Sequence, residues 1–274
     1  MSDLPGQAFL EECLALDRLV NRLDAATFAR VTDFYGWTVR DEVMHLMFLD
    51  EITLLSIEDE AGFLDLLAEI RVYQRDIGEL SQFMRERYAG LDRDGLVARW
   101  QSGFEALAAR LAACDPKARM KWFGPDMSIV SASSARQMEV WAHGQDLYDL
   151  LGEHRRNADR IRNICELGVR TFGWSFSNRG LTVPTAPPEV ALMAPSGDQW
   201  LWNEGATGGY ISGPAEDFAA IVTQRRNLAD TALSVTGDGA RHWMEIAQCF
   251  AGAPSDGPPP GRTQLTRMEA GHAV

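Results

Sequence analysis

Three residues of this chain have side chains that bind divalent metal ions and a spacing that could bring them together. Glu139 and His143 are four residues apart in a segment of helical periodicity, so both lie on one face of an α-helix. A second predicted helix, which begins at Thr38, carries His45. If His45 faces the other two from a neighbouring helix, the side chains form a His, Glu, His set with an open position. That layout is typical of a catalytic zinc site rather than a structural one.

Carboxylates near these residues could orient the histidines. Asp41 lies four residues before His45, and Asp146 lies three residues after His143. Either carboxylate could accept a hydrogen bond from the second ring nitrogen of a histidine ligand and so fix its tautomer. Asp41 also stands where a capping box places an acidic residue, three positions after Thr38. Its role stays open between helix cap and support for His45, and we count Asp146 among the candidate catalytic residues.

The same residues also have an ordinary structural explanation. A Glu and a His four residues apart, like Glu139 and His143, occur by chance in many helices, where they face solvent. A single histidine in an apolar helical segment, like His45, is typical of a protein core. Other chemistry is excluded more firmly, because the chain has no G-x-S-x-G motif, no P-loop and no G-x-G-x-x-G motif.

The composition limits the class of partner. The 274 residues include 39 Asp and Glu against 26 Lys and Arg, for a formal net charge of −13. Nucleic acid is excluded as a partner because phosphate binding needs clustered cations. A membrane is excluded because no run reaches the roughly 18 apolar residues of a spanning helix. We expect a cytoplasmic protein with a small-molecule substrate, and an oligomeric state that is open between monomer and homodimer. Its cysteines are expected to be reduced thiols: Cys13, Cys114, Cys165 and Cys249.

Periodicity divides the chain into a helical part and a mixed part. Helical patterns cover residues 7–29, 38–56, 61–88, 94–113, 128–151 and 159–177. After a proline-rich segment, strand-like runs at 189–194, 199–202, 209–212 and 233–236 are joined by helical patterns at 214–226 and 240–251. We therefore predict an α+β protein. An up-and-down helical bundle would cover residues 1–180, a small α+β domain 181–252, and a disordered tail 253–274.

Two motifs resemble those of a known family. The run Gly36–Leu46, of the form G-W-T-V-R-D-x-x-x-H-L, and the run Glu139–Leu147, E-V-W-A-H-G-Q-D-L, resemble the DinB-like superfamily. More narrowly, they resemble the mycothiol-dependent maleylpyruvate isomerase family, in particular an actinobacterial branch described as metal-binding proteins. The resemblance covers nearly the whole chain up to residue 252. It implies a DinB-like, metal-binding four-helix bundle followed by a domain similar to sterol carrier protein.

The resemblance also implies functional residues. The family's metal ligands fall on His45, Glu139 and His143, and a functional arginine of its smaller domain falls on Arg225. That arginine would bind a carboxylate of the cofactor thiol or of the substrate. The family usually has glycine before it, whereas this chain has Gln224. Considered alone, Arg225 could also be a surface residue at a helix C-terminus, where its charge suits the helix dipole.

These assignments imply a metal-dependent enzyme that uses a low-molecular-weight thiol, with mycothiol as the cosubstrate. Zinc is the first candidate for the ion, with nickel or iron as alternatives. Addition of the thiol to a small electrophilic substrate gives isomerisation if the thiol leaves again, and S-transfer if it stays. Two alternatives remain open. One is a thiol-independent metal-dependent lyase, hydrolase or cyclase of a biosynthetic pathway, which the departure at Gln224 favours slightly, and the other is a non-catalytic small-molecule-binding module.

Overall fold

The computed structural model describes residues 4–71, 73 and 77–262. Contacts divide the chain into two compact units, Met1–Glu153 and His154–Val274. The first unit is largely helical and the second combines helices with a sheet, so the predicted α+β class is confirmed. No helix within the described residues is long and apolar enough to cross a membrane.

Four long helices form the core of the N-terminal unit. In its described residues the helices are α1 (Gln7–Val20), α2 (Ala25–Phe28), α3 (Val39–Glu58), α4 (Glu60–Ile70), α5 (Ile77–Arg87), α6 (Arg93–Ala113) and α7 (Ile129–Leu151). A short antiparallel pair, β1 (Arg119–Met120) and β2 (Met127–Ser128), precedes α7. Helices α3 and α1 each pack on both α6 and α7. Their apolar faces bury large side chains such as Phe9, Met44 and Trp100, each worth about 2–3 kcal/mol of hydrophobic stabilisation.

The two helices that carry the candidate ligands begin where the sequence predicts, and α7 also ends there, whereas α3 continues two residues beyond its predicted end, to Glu58. The Thr38 hydroxyl accepts a hydrogen bond from the Asp41 N–H, and the Asp41 carboxylate accepts one from the Thr38 N–H, which completes the capping box of α3. The Ser128 side chain caps α7 by accepting from the Ser131 N–H. Gly152 ends α7 in a left-handed conformation that glycine adopts without strain. These fixed ends set the register of every side chain between them.

Some long helical patterns are interrupted in the structure. The segment predicted as one helix over 7–29 breaks after α1, because the Asp24 side chain accepts from the Thr27 N–H and starts the short α2. The segment predicted over 61–88 contains α4 and α5, and residues 72 and 74–76 between them lie outside the described part. The carboxylate of Asp59 caps α4 in the same way, by accepting from the Gly62 N–H.

The C-terminal unit packs helices with a four-stranded sheet. Its elements are a 3₁₀ turn (Asp159–Ile161), α8 (Arg162–Arg170), α9 (Phe172–Ser177), β3 (Glu189–Met193), β4 (Gln199–Trp202), β5 (Tyr210–Pro214), α10 (Ala215–Val222), a second 3₁₀ turn (Leu228–Asp230), β6 (Ser234–Thr236) and α11 (Asp238–Ile246). The strand order is β4-β3-β5-β6, with β3 and β5 parallel and the other pairs antiparallel. Val190 lies opposite Trp202 on one side and Ile211 on the other.

The boundary between the units lies earlier than the predicted position after residue 180. Because α8 packs on α10 and α9 packs on α11, both helices belong with the elements that follow them. The predicted tail also differs in its first part: the Gly261 N–H donates to the Asp230 carboxylate at 2.8 Å, so this segment is held in place. The rest of that tail, 263–274, lies outside the described residues. All four cysteines are free thiols, as predicted.

Candidate metal centre

The structure brings His45 of α3 together with Glu139 and His143 of α7. Glu139 Oε2 lies 3.4 Å from His45 Nε2 and 3.3 Å from His143 Nε2. All three ligand atoms lie within 4.8 Å of one another. Ligand atoms bound to one tetrahedral zinc at about 2.0–2.2 Å are separated from each other by about 3.3–3.5 Å. Both the types of donor atom and their spacing therefore suit a divalent ion.

The three side chains differ in exposure, which indicates where a further ligand could approach. The His143 side chain is 4% exposed and that of His45 is 13% exposed, whereas that of Glu139 is 24% exposed. An additional ligand would therefore approach from the Glu139 side. A catalytic ion needs such an open position, and a structural ion is usually enclosed by protein ligands.

A carboxylate that the sequence analysis missed supports His143. Glu42 Oε2 lies 2.6 Å from His143 Nδ1, and both side chains are almost completely buried. The Thr32 hydroxyl donates to Glu42 Oε1 at 2.7 Å. This arrangement puts the proton on Nδ1 and leaves Nε2 as a metal donor. The sequence does contain an indication of this role: Glu42 lies three residues before His45, a spacing that puts both side chains on the same side of α3.

The two carboxylates proposed from the sequence have other positions. Asp41 makes no hydrogen bond to His45 within the described residues; it caps α3 and forms a two-point ion pair with Arg85, at 2.8 and 2.9 Å. Burial raises the pKa of Asp41, but hydrogen bonds from Arg85 and Thr38 outweigh it and hold that pKa below its ordinary value. Asp41 is therefore a helix cap, and the alternative role beside His45 was wrong.

Asp146 also lies close to His143, but farther from its Nδ1 than Glu42 does. Its Oδ2 is 3.9 Å from His143 Nδ1, which is too long for a hydrogen bond. Glu42, His143 and Asp146 also have ligand atoms within 4.8 Å of one another. The 2.6 Å between Glu42 and His143 is a hydrogen-bond length, shorter than the separation of two ligands on one ion. The candidate ion position is therefore the one beside Nε2 of His143 and not the one beside Nδ1.

A tight turn before α3 forms one wall of the centre. The Thr32 N–H donates to the Trp37 carbonyl at 2.7 Å, and the Trp37 N–H donates to the Phe34 carbonyl at 2.9 Å. Tyr35 and Gly36 at the tip have φ of 48° and 72°, the conformation of a two-residue hairpin turn. The turn thus places two aromatic rings and the Thr32 hydroxyl at the centre.

The aromatic rings contact the histidines directly. Trp37 stacks on His143 with ring centroids 5.7 Å apart and an interplanar angle of 11°, and Phe34 meets the same ring edge-on at 4.9 Å. Trp37 also touches His45 at 5.1 Å. These apolar walls limit the access of water and strengthen electrostatic interactions at the centre.

Electrostatics favour the protonation states that a metal ion requires. Burial, together with the nearby His143, lowers the pKa of His45 to about 4. Burial raises the pKa of Glu139, but the hydrogen-bonding and electrostatic interactions with His143 and His45 outweigh it and hold that pKa well below its ordinary value. At neutral pH His45 is therefore neutral and Glu139 ionised, and these are the charge states in which a histidine and a carboxylate bind a metal ion.

The remaining predicted site residue, Arg225, belongs to the C-terminal unit. Its side chain is buried, and Nη1 donates to the Thr223 carbonyl at 2.9 Å. The Arg225 N–H donates to the Ala220 carbonyl and the Gln224 N–H to the Ile221 carbonyl, the two bonds of a Schellman motif. Arg225 is thus not an exposed surface residue, and its role in binding a carboxylate stays a prediction.

The motif explains the position where this chain departs from glycine. Gln224 has φ of 58°, the left-handed conformation in which glycine is usual. Its amide compensates by donating to the carbonyls of Ala247, at 3.1 Å, and Ser255, at 2.7 Å. The backbone geometry before Arg225 is therefore that of a glycine position, although the residue is glutamine.

The helical unit with its His, Glu, His cluster and the smaller α+β unit define a class of two-unit proteins with a candidate metal centre. A family model described as the mycothiol maleylpyruvate isomerase N-terminal domain matches residues 9–148. Two Mycobacterium tuberculosis sequences from different strains, the uncharacterized proteins Rv0036c and MT0041, are each 38% identical over 242 residues. The match covers 88% of this chain and 93% of each relative. The chain therefore belongs to the mycothiol-dependent maleylpyruvate isomerase family.

Solved structures show the same fold. A crystal structure of the mycothiol-dependent maleylpyruvate isomerase has a TM-score of 0.52 and 17% identity, and the match covers 86% of this chain and 95% of that one. A crystal structure of a histidine-to-alanine mutant of that enzyme has a TM-score of 0.51 and 17% identity, covering 81% and 90%. At this identity the likeness concerns the fold alone.

Proposed function

We propose that this protein is a thiol-dependent isomerase whose His45, Glu139 and His143 hold a divalent metal ion. The observation that carries the proposal is the convergence of the three donor atoms, with Glu139 Oε2 at 3.3 and 3.4 Å from the two histidine nitrogens. Membership of the family supports mycothiol as the cosubstrate. Two nitrogen donors and one oxygen donor favour zinc, with nickel or iron as alternatives.

The residues around the ion have distinct tasks. His45, Glu139 and His143 would hold the ion, which would supply the positive charge that lowers the pKa of a nearby thiol and favours its thiolate near neutral pH. Glu42 accepts a hydrogen bond from the Nδ1–H of His143 and so fixes that ring with Nε2 towards the ion. Trp37 and Phe34 keep water away from the histidines. Asp146 is proposed as a positioning residue that acts through His143.

The reaction that this arrangement supports is reversible addition of the thiolate to an activated double bond. The thiolate adds to one alkene carbon of a small unsaturated acid, and the electron pair moves onto the conjugated carbonyl oxygen. The former double bond is then single and rotates. Collapse of the enolate expels the thiolate and gives the trans isomer without net use of the thiol. Protonation of the adduct at carbon would instead give S-transfer.

Arg225 is proposed to bind a carboxylate of the thiol or of the substrate, as the only part of the proposed machinery assigned to the C-terminal unit. A guanidinium binds a carboxylate through two parallel hydrogen bonds, which orients the ligand as well as attracting it. The sequence-based argument for a thiol-independent reaction was the glutamine at position 224. Because Gln224 keeps the left-handed backbone of a glycine, that argument loses its basis.

The first test is metal analysis of protein purified without added metal or chelator, in wild type, Glu139→Ala and Glu58→Ala. Glu58 is an exposed carboxylate at the end of α3 and serves as the matched control. We expect about one ion per chain in wild type and control, and none in Glu139→Ala. Equal metal content in all three would refute the site.

The second test is catalysis by the metal-loaded protein. We expect cis-to-trans isomerisation of a small unsaturated diacid that needs added mycothiol, and loss of that activity in Glu139→Ala. Turnover of a substrate without any thiol would replace the proposal with a thiol-independent metal enzyme. A metal-free protein that binds but does not convert small acids would favour the binding module.

A further inference from the structure

A buried ion pair joins α3 to α7 close to the candidate ligands. Arg136 Nε and Nη2 donate to Asp50 Oδ1 at 3.1 and 3.0 Å, and Nη2 also donates to the Leu46 carbonyl at 3.2 Å. The Arg136 side chain is 1% exposed and that of Asp50 is 0% exposed. Leu46 directly follows His45, and Arg136 lies three residues before Glu139. The hydrogen bond from Arg136 to Leu46 therefore connects the two helices within one turn of the ligands on each, and Asp50 lies five residues beyond His45.

Burying this ion pair costs free energy, because both charged groups lose their hydration. Asp50 Oδ2 and Arg136 Nη1 are buried and have no hydrogen-bond partner among the described residues. Burial raises the pKa of Asp50 to about 6, even though Arg136 opposes the shift. Replacing a buried ion pair by apolar residues of similar volume is often neutral or stabilising. Stability of the fold is therefore a poor explanation for this pair.

We propose that the Asp50–Arg136 pair positions the metal centre by fixing the register of α3 against α7. This inference rests on the metal site proposed above. The planar guanidinium presents its N–H groups at fixed angles and contacts both Asp50 and the Leu46 carbonyl, so it defines one relative position of the helices. Apolar side chains pack without such direction. A metal site requires ligand distances correct to about 0.2 Å, so a small slide of α3 would displace His45 from the ion.

The test is the double variant Asp50→Leu/Arg136→Met, which removes both charges and replaces them with apolar side chains of broadly similar size. We expect the metal-free variant to unfold at a temperature no lower than wild type. We expect its zinc affinity, measured by competition with a chelating dye, to fall about 10–100-fold. The visible absorption of the cobalt-substituted protein should also change, because it reports the geometry of the ligands. A pair that served only stability would lower the unfolding temperature and leave the affinity and the spectrum unchanged.

Two further variants keep the test decisive. Arg136→Lys keeps the charge but loses the planar fork, and should also weaken zinc binding. Glu51→Gln is the matched control on α3, since Glu51 accepts from Arg99 at 2.6 Å and from Tyr88 at 2.7 Å but makes no contact with the ligands. Its affinity should equal that of wild type.

The outcomes separate this inference from the metal site itself. A wild type that binds no metal would refute the site, whereas metal bound equally well by wild type, the double variant and Arg136→Lys would refute only the role of the pair. If the double variant fails to fold, Arg136→Lys decides. If neither folds, the pair is needed for folding, and the proposed role is overturned.

Discussion

The two histidines of the candidate centre have different surroundings, although both would bind the same ion. His143 is held on several sides: Glu42 contacts its Nδ1 at 2.6 Å, Trp37 stacks on its ring and Phe34 meets it edge-on. His45 Nδ1 is buried and has no hydrogen-bond partner among the described residues. Its ring makes tilted contacts with Trp37, at 59°, and with His143, at 57°, and only its Nε2 lies near a carboxylate, 3.4 Å from Glu139.

This difference shows two ways of placing a ligand. The orientation of His143 is set locally, by a hydrogen bond to a buried carboxylate that is itself held by Thr32. The orientation of His45 is set by packing and by the position of α3 relative to α7. A centre built in this way should be rigid on the α7 side and sensitive to helix register on the α3 side. Because the position of His45 depends on helix register, the proposed role of the Asp50–Arg136 pair in fixing that register concerns His45 more than His143.

The largest expected effect comes from removing each histidine. Loss of a residue that only supports a metal ligand weakens metal binding by about 10–100-fold. His143→Ala and His45→Ala each remove a ligand itself, so each should weaken zinc binding by more than that. In the metal-free proteins the two should differ. His143→Ala removes the imidazole that contacts Glu42 and should lower the free energy of unfolding by about 3 kcal/mol, and His45→Ala by about 1–2 kcal/mol.

Urea unfolding of both variants after chelator treatment measures this difference. Wild type treated in the same way is the reference, and circular dichroism checks that helix content is kept. Equal destabilisation by the two substitutions would show that the hydrogen bond to Glu42 does not distinguish His143 from His45.

The next effect is a pH dependence that comes from His45. In the folded, metal-free protein its pKa is about 4, below the value of 6.5 for an unperturbed histidine. The unfolded chain therefore takes up the proton first as pH falls. The resulting loss of stability is absent above pH 6.5 and grows to about 3 kcal/mol as pH falls to 4.

The measurement is the difference in unfolding free energy between wild type and His45→Asn across this pH range, both metal-free. Taking the difference cancels groups that titrate alike in both proteins. We expect wild type to lose stability relative to the variant on acidification. A difference that stays constant from pH 7 to pH 4 would mean that His45 is not desolvated as the structure indicates.

The starts of the two ligand-bearing helices and the end of α7 could be predicted from the sequence, because they depend on residues close together in the chain. The capping box at Thr38 and the N-cap at Ser128 set the starts of α3 and α7, and the left-handed Gly152 sets the end of α7. Helical spacing put Glu139 and His143 on one face. The placement of His45 opposite them came from resemblance, since spacing within one helix does not determine what a neighbouring helix faces.

The missed features depend on packing between helices. Asp41 and Glu42 both precede His45 by about one turn, and the sequence offered no way to tell which would reach a histidine. The capping box turns Asp41 back to its own helix end, where Arg85 holds it. The neighbouring residue then points across to His143 instead of His45. The boundary between the units was missed for a similar reason, because α8 and α9 pack on later elements.

The smallest of the three effects tests this pair of neighbouring carboxylates. Glu42→Gln keeps the size of the side chain but replaces a charged acceptor with a neutral amide, so the proton on Nδ1 of His143 is held less strongly. We expect zinc affinity to fall about 10–100-fold. Asp41→Asn is the matched control: it weakens the cap of α3 by about 1 kcal/mol but should leave zinc affinity unchanged.

Zinc affinity and urea unfolding of both variants give the two readouts together. Glu42→Gln should change the affinity more than its stability accounts for, and Asp41→Asn should change stability alone. If both substitutions weaken zinc binding in proportion to the stability they remove, Glu42 acts only through the general stability of α3. The contrast between His143 and His45 would then have no consequence for metal binding, because the orientation of His143 would not depend on its carboxylate partner.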